Sequence, residues 1–199
     1  MSTAICLDLD GTVTAEEILP RIAAEVNLAD EIGILTDATL KGILPFEKSF
    51  RLRCRLLADV PISRVREIVA DIKVDDAIAH FVRRNAERCF IVTGNLDVWI
   101  EPLTARLGCS SFSSTSVVAE DRLVGISAVL DKRDAIASTR KSFDKVVAVG
   151  DSFNDAGMFE LADVSIAYGG VHSPVPALYD LADFAVTNGK ALCRLLDTL

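Results

Sequence analysis

Three short clusters hold residue types that can do chemistry together: Asp8-Leu9-Asp10-Gly11-Thr12, Thr93-Gly94-Asn95, and Gly150-Asp151-Ser152-Phe153-Asn154-Asp155. The first closes the apolar run Ala4–Leu9, the second follows Phe90-Ile91-Val92, and the third follows Val146–Val149. Residues i and i+2 at a strand end can face one pocket, so Asp8 and Asp10 can act together, and Gly11 lets the backbone turn tightly. Asp8, Asp10, Asp151 and Asp155 would then bring four carboxylates into one crevice. Crowded carboxylates repel, and a hard divalent cation with oxygen ligands is the usual remedy. Mg²⁺ takes few protein ligands together with waters and phosphate, which suits this set. Singly, Asp-Gly and Asn-Asp are ordinary turn and helix-cap chemistry. Two acidic clusters, each after an apolar strand, with a Thr at a third strand end, point instead to a site.

The elements that must position these residues follow from periodicity. Strands are expected at Ala4–Leu9, Cys89–Thr93, Lys145–Val149, Val164–Ala167 and Phe184–Val186, with a hairpin in Val117–Ala128 around Asp121–Leu123. Helices are expected at Asp75–Asn85, Leu96–Leu107, Lys132–Ser142, Asn154–Ala162 and Lys190–Leu199, the second kinked or restarted at Pro102. From Glu16 to about Lys73 the pattern is helical only: Ile18–Val26, Pro45–Leu57 and Ser63–Ile72, with Pro45 in a first turn and Ser63 as an N-cap. Apolar strands alternating with helices imply an α/β fold, a doubly wound parallel sheet covered on both faces. Ligands on such sheets bind beyond the carboxyl ends of the strands, where the three clusters fall. The expected organisation is an α/β core from residues 1–13 and 75–199, with residues 14–74 as a small helical insert after the first strand.

Composition narrows the partners. The chain of 199 residues carries a net charge of −8 and shows no Lys/Arg stripe flanked by aromatics, which argues against nucleic acid. An acidic protein can still take an anion where a metal and one or two placed cations dominate locally. No apolar run approaches the roughly 18 residues of a membrane span. Met1-Ser2-Thr3-Ala4 leads straight into a strand without a basic or signal-type segment, so a cytoplasmic, soluble protein is expected. Cys6, Cys54, Cys89, Cys109 and Cys193 are odd in number and widely spaced, and are expected to pack as reduced small hydrophobes. His80 and His172 are too few and too far apart for a His-rich zinc site.

From Asp8 to about Phe159 the sequence resembles the haloacid dehalogenase superfamily of phosphatases, and within it the phosphoserine phosphatase subgroup. DLDGT (Asp8–Thr12) resembles the first motif, Thr93 the hydroxyl of the second, Lys132 the lysine of the third and GDSFND (Gly150–Asp155) the fourth. The resemblance implies a Rossmann-like core with a helical cap, and an attack of Asp8 on phosphorus through an aspartyl-phosphate. Asp10 would protonate the leaving alkoxide and then activate water. Asp8, the Asp10 backbone carbonyl and Asp151 would hold Mg²⁺, with Asp155 as a ligand or a supporting group. Lys132, Thr93 and the backbone near Gly11 and Gly94 would balance and hold the phosphoryl oxygens. Asn154 would orient Lys132 or a phosphate oxygen.

The same resemblance implies substrate contacts in the insert: Glu17 facing an ammonium, Arg53 pairing with a carboxylate, and Phe46 closing over the pocket. One position departs from the subgroup. Its Ser-Gly-Gly-Phe is here Thr93-Gly94-Asn95-Leu96, so Asn95 puts a polar side chain where the subgroup has open backbone. It would read a different substrate or cap the next helix. The expected reaction is hydrolysis of O-phosphoserine to serine and phosphate; the alternative is a phosphatase or phosphotransferase for another small phosphorylated metabolite. A phospho-accepting signalling domain would carry its acceptor Asp after a later strand and would lack the insert. No feature of the sequence sets an oligomeric state.

Overall fold

The computed structural model describes residues 2–199. Among them, seven strands form one sheet in the order β4-β3-β2-β1-β5-β6-β7: β1 Thr3–Leu7, β2 Cys89–Leu96, β3 Ser110–Ala119, β4 Arg122–Ala128, β5 Lys145–Gly150, β6 Val164–Tyr168 and β7 Phe184–Val186. All pairings are parallel except β3 with β4. Alternate residues of the central strands feed two cores. Ile5, Leu7, Val147 and Val149 join one cluster, while Ala4, Cys6, Val146 and Ala148 join the other. A strand buried on both faces must be apolar throughout, which is why β1 and β5 read as continuous runs.

Ten helices follow in chain order: α1 Ile18–Ala23, α2 Ala29–Leu40, α3 Phe46–Leu57, α4 Ile62–Ala70, α5 Asp76–Arg84, α6 Asp97–Leu107, α7 Lys132–Thr139, α8 Ala156–Phe159, α9 Pro176–Tyr179 and α10 Gly189–Leu196. The segment from α1 to α4 leaves and rejoins the sheet at one point. Thr14 bridges Val74, and the Ala15 and Asp75 amides donate to the Lys73 and Val13 carbonyls, each at 2.9 Å. None of the helices is long and apolar enough to cross a membrane. All five cysteines are free, three of them buried.

Several expected elements are corrected. Helix α2 is absent from the sequence reading because its buried positions are Ile32, Thr36 and Thr39, so its inner face carries two hydroxyls rather than an apolar stripe. Strand β3 begins at Ser110, seven residues before the expected hairpin, and its serine-rich start pairs in parallel with β2. Strand β2 runs on to Leu96 through an irregularity between Val92 and Leu96. The expected helix at Asn154 is a 3₁₀ turn over Phe153–Asp155 followed by the short α8.

Two proline-related expectations also change. Helix α6 does not restart at Pro102. Proline lacks the N–H that would bond the carbonyl four residues back; that carbonyl, Val98, accepts instead from Arg66 Nε of α4 at 3.0 Å. Pro45 and Pro61 are the N-caps of α3 and α4, so Ser63 is not a cap. The first amides of α4 are satisfied from the β3–β4 hairpin tip: Ile62 donates to the Asp121 carbonyl at 2.9 Å, and Ser63 to Asp121 Oδ1 at 2.8 Å.

Candidate active site

Strand register sets the height of the chemical residues. Leu7 pairs with Ile91 of β2 and with Val149 of β5. Asp8 is therefore one residue past the last rung, and Thr93 and Asp151 two past theirs, so all three emerge at the same edge of neighbouring strands. The Asp8 amide continues the ladder to the Val149 carbonyl at 2.9 Å. Oxygens of Asp8, Asp151 and Asp155 lie within 4.8 Å of one another, and all three side chains are buried.

Lys132, the first residue of α7, reaches back over this cluster. Its Nζ lies 2.5 Å from Asp8 Oδ1 and 2.7 Å from Asp155 Oδ1, with the ammonium buried. Burial alone would favour the neutral amine, but the Asp155 and Asp8 carboxylates outweigh it and raise the Lys132 pKa above its ordinary range. Burial and the charge of Asp155 push Asp8 up, to about 8, despite the lysine. Burial, then Asp8 and Asp155, hold Asp151 well above the usual carboxylate range. One ammonium cannot compensate three acids at this spacing.

Asp155 is occupied by the protein itself. Its Oδ2 accepts from the Asp151 and Ser152 amides at 3.0 Å each and from the Ser152 hydroxyl at 3.2 Å, while Oδ1 holds Lys132. Asp151 differs: its Oδ1 is buried without a hydrogen-bond partner. Such an orphan is costly unless something cationic meets it. Gly11, at φ +69°, has no room for a side chain, since a Cβ would run onto the Asp151 carboxylate.

Asp10 turns away from this cluster. Its Oδ1 accepts from the Ile18 amide at 2.8 Å and its Oδ2 from the Asn95 amide nitrogen. Burial raises its pKa, and the Ile18 hydrogen bond is the largest opposing influence. Asn95 also donates to Thr93 Oγ1 at 3.3 Å, so it bridges the first and second clusters.

The wall opposite comes from α1 to α3. Phe46 stacks on Phe50 with centroids 5.4 Å apart and lies over Gly94, where a Cβ would enter its ring. Arg53 is buried; its Nη1 donates to Thr36 Oγ1 at 2.9 Å, and burial lowers its pKa. Glu17 caps the start of α1 with its backbone. Its buried Oε1 has no hydrogen-bond partner, and burial, then Asp10 and Asp8, hold its pKa well above the usual range. The remaining cavity is narrow, about 50 Å³. It shares Glu17 and Ser152 with a wider one of about 550 Å³ lined by Arg21, Lys41 and His172.

The structure thus brings Asp8, Asp10, Glu17, Phe46, Arg53, Thr93, Gly94, Asn95, Lys132 and Asn154 around one crevice, while Asp151 and Asp155 cluster with Asp8 and Asp151 lines the wider cavity. Asn154 lines the crevice but forms no hydrogen bond with Lys132; Asp8 and Asp155 orient that ammonium instead. Three further residues escaped the sequence reading. Thr36 lies on a helix with no periodic signal. Ser114, fully buried on β3, donates to the Gly94 carbonyl at 2.6 Å. His172, with Nε2 3.9 Å from Glu17 Oε1, sits in the loop after β6, and the rule that ligands lie past strand ends would have flagged it.

Residues 5–160 match the model of the haloacid dehalogenase-like hydrolases. Phosphoserine phosphatase of Methanocaldococcus jannaschii is 27% identical over 92% of the chain and 90% of its own length. That of Halobacterium salinarum is 28% identical over 98% and 97%. A solved phospho-aspartyl intermediate analogue of phosphoserine phosphatase superposes with a TM-score of 0.85 at 25% identity, covering 100% of the chain and 98% of its own. The family match spans every cluster described above, and the chain belongs to the haloacid dehalogenase-like hydrolases, among which it resembles the phosphoserine phosphatases.

Proposed function

We propose that the protein hydrolyses a small phosphate monoester, O-phosphoserine, with residues 1–13 and 75–199 as the catalytic core and 14–74 as the cap that selects the substrate. The observation that carries the reaction is the buried Asp8–Lys132–Asp155 arrangement at the carboxyl end of the central strand. Asp8 Oδ attacks phosphorus as the bond to the serine oxygen breaks, and Asp10 gives its proton to that oxygen. The aspartyl-phosphate on Asp8 is then cleaved by a water whose proton returns to Asp10. Lys132 stays charged throughout and offsets the oxygens of the transferring group, and Thr93 holds one of them.

The residues fit Mg²⁺: three buried carboxylates share one ammonium, and one of their oxygens is unpartnered. Asp8, Asp151 and the Asp10 carbonyl would hold the ion, while Asp155, committed to Lys132 and loop amides, would support the loop. When bound, the ion supplies positive charge beside the phosphoryl oxygens and satisfies Asp151. For the substrate, a buried Arg53 without a carboxylate partner suits the serine carboxylate, and the unpartnered Glu17 oxygen suits its ammonium.

The test is phosphate release with Mg²⁺ over phospho-amino acids, sugar phosphates and nucleotides, for wild type and Asp8→Asn. Phosphoserine should lead the panel, and Asp8→Asn should lose at least about 10³-fold on every substrate. Substantial turnover by Asp8→Asn would overturn the covalent route, and a preference for esters lacking both ammonium and carboxylate would overturn the substrate.

A further inference from the structure

We infer that Asn95 is a positioning residue for leaving-group protonation, holding Asp10 in place across the gap between the first two strand ends. The inference rests on the reading of Asp10 as the general acid. Beyond Val92, paired with Phe112, the next pairing is Leu96 with Ser114, so four residues of advance on β2 match two on β3. The surplus is a bulge over Thr93–Asn95, and bulges re-aim side chains next to binding sites. Ser114 clamps it through the Gly94 carbonyl at 2.6 Å, and Ser114 Oγ is itself held by the Leu130 amide at 3.0 Å.

Asn95 is 6% exposed and its amide nitrogen faces two acceptors, Asp10 Oδ2 and Thr93 Oγ1. A buried amide there cannot rotate away without leaving Asp10 Oδ2 unpaired, while Thr93 Oγ1 would keep only the Asn95 backbone amide, at 3.2 Å. The Ile18 amide occupies Asp10 Oδ1 from the other side. Asp10 is therefore gripped at both oxygens by different elements, α1 and the β2 bulge. Each oxygen accepts one hydrogen bond and keeps a further lone pair, so the gripped carboxyl can still carry the proton that passes to the leaving oxygen as the Asp8–phosphorus bond forms. A glycine at position 95 would leave Asp10 held by Ile18 alone and free to turn about its χ angles. Asn95 is thus tied to the acid rather than turned out as a helix cap.

Leaving-group dependence tests this. O-phosphoserine departs as an alkoxide and needs the proton; p-nitrophenyl phosphate departs as a stable phenolate and needs it far less. kcat and KM are measured on both substrates for wild type, Asn95→Gly, Asn95→Ala and Asp10→Asn. Both Asn95 variants should lose about tenfold in kcat on phosphoserine, a part of the about 10²–10⁴-fold that general acid–base catalysis supplies. The loss on the nitrophenyl ester should be at least about fivefold smaller, and KM for phosphoserine should change by less than about threefold. The ratio between substrates is insensitive to the folded fraction, so poor folding cannot mimic the result. Equal losses on both substrates, or a loss confined to KM, would overturn the role of Asn95 while Asp10→Asn keeps its split. If Asp10→Asn shows no split either, the general-acid reading falls and takes the inference with it.

Discussion

Arg53 Nη1 of α3 donates to Thr36 Oγ1 of α2 at 2.9 Å, and no carboxylate pairs with that guanidinium among the described residues. A buried cation tethered to a hydroxyl is held ready for an anion that arrives from outside. Arg53→Ala should raise KM for phosphoserine about 100-fold and KM for phosphoethanolamine, which lacks the carboxylate, less than about threefold. Thr36→Val keeps the charge but frees the fork, and should cost about tenfold on phosphoserine alone. Steady-state kinetics on the two esters decide it; parallel losses would remove Arg53 from carboxylate recognition.

The acid cluster makes stability depend on pH. Asp8 is raised from its ordinary 3.8 to about 8 by burial and by Asp155, so between those limits the folded chain keeps a proton that the unfolded chain releases. Stability contributed at low pH is lost as pH rises through that window, at up to about 1.4 kcal/mol per pH unit for one such group. In EDTA the thermal midpoint should fall between pH 5 and pH 8, and Asp8→Asn should flatten the slope. Mg²⁺ should raise the midpoint more at pH 8 than at pH 5, because it binds the deprotonated acids. A metal-free midpoint that climbs from pH 5 to pH 8 would contradict this account.

The hairpin tip works as a cap in trans. Asp121 accepts from the Ser63 amide at 2.8 Å and from its hydroxyl at 2.5 Å, supplying what Pro61 cannot give to the start of α4. Asp121→Ala should lower the thermal midpoint by about 2–4 °C, and Asp121→Asn should retain most of it. Differential scanning calorimetry measures both, and an unchanged midpoint for the alanine variant would show that the hairpin adds nothing to α4.

The sequence alone marked out the cluster proposed as the reaction centre. Asp8, Asp10, Thr93 and Asp151 are legible because parallel strands buried on both faces must be apolar, so polar residues just past them stand out. The family motifs added Lys132, whose place at the start of α7 the structure turns into an ion pair with Asp8 and Asp155. What only the tertiary structure decided depends on contacts between distant segments. Helix α2 was invisible because hydroxyls, not apolar side chains, face inward from it, yet it supplies the Thr36 that steadies Arg53. Whether Asn95 reads substrate or caps a helix could not be chosen from spacing. A bulge set by pairing with β3 turns it onto Asp10, 85 residues away in the chain. The division between Asp151 and Asp155 has the same origin: both are acids of one loop, but only the folded loop spends the oxygens of Asp155 on its own amides and leaves one of Asp151 bare. Periodicity records which face of an element is buried; it carries no record of which partner a buried polar atom meets there.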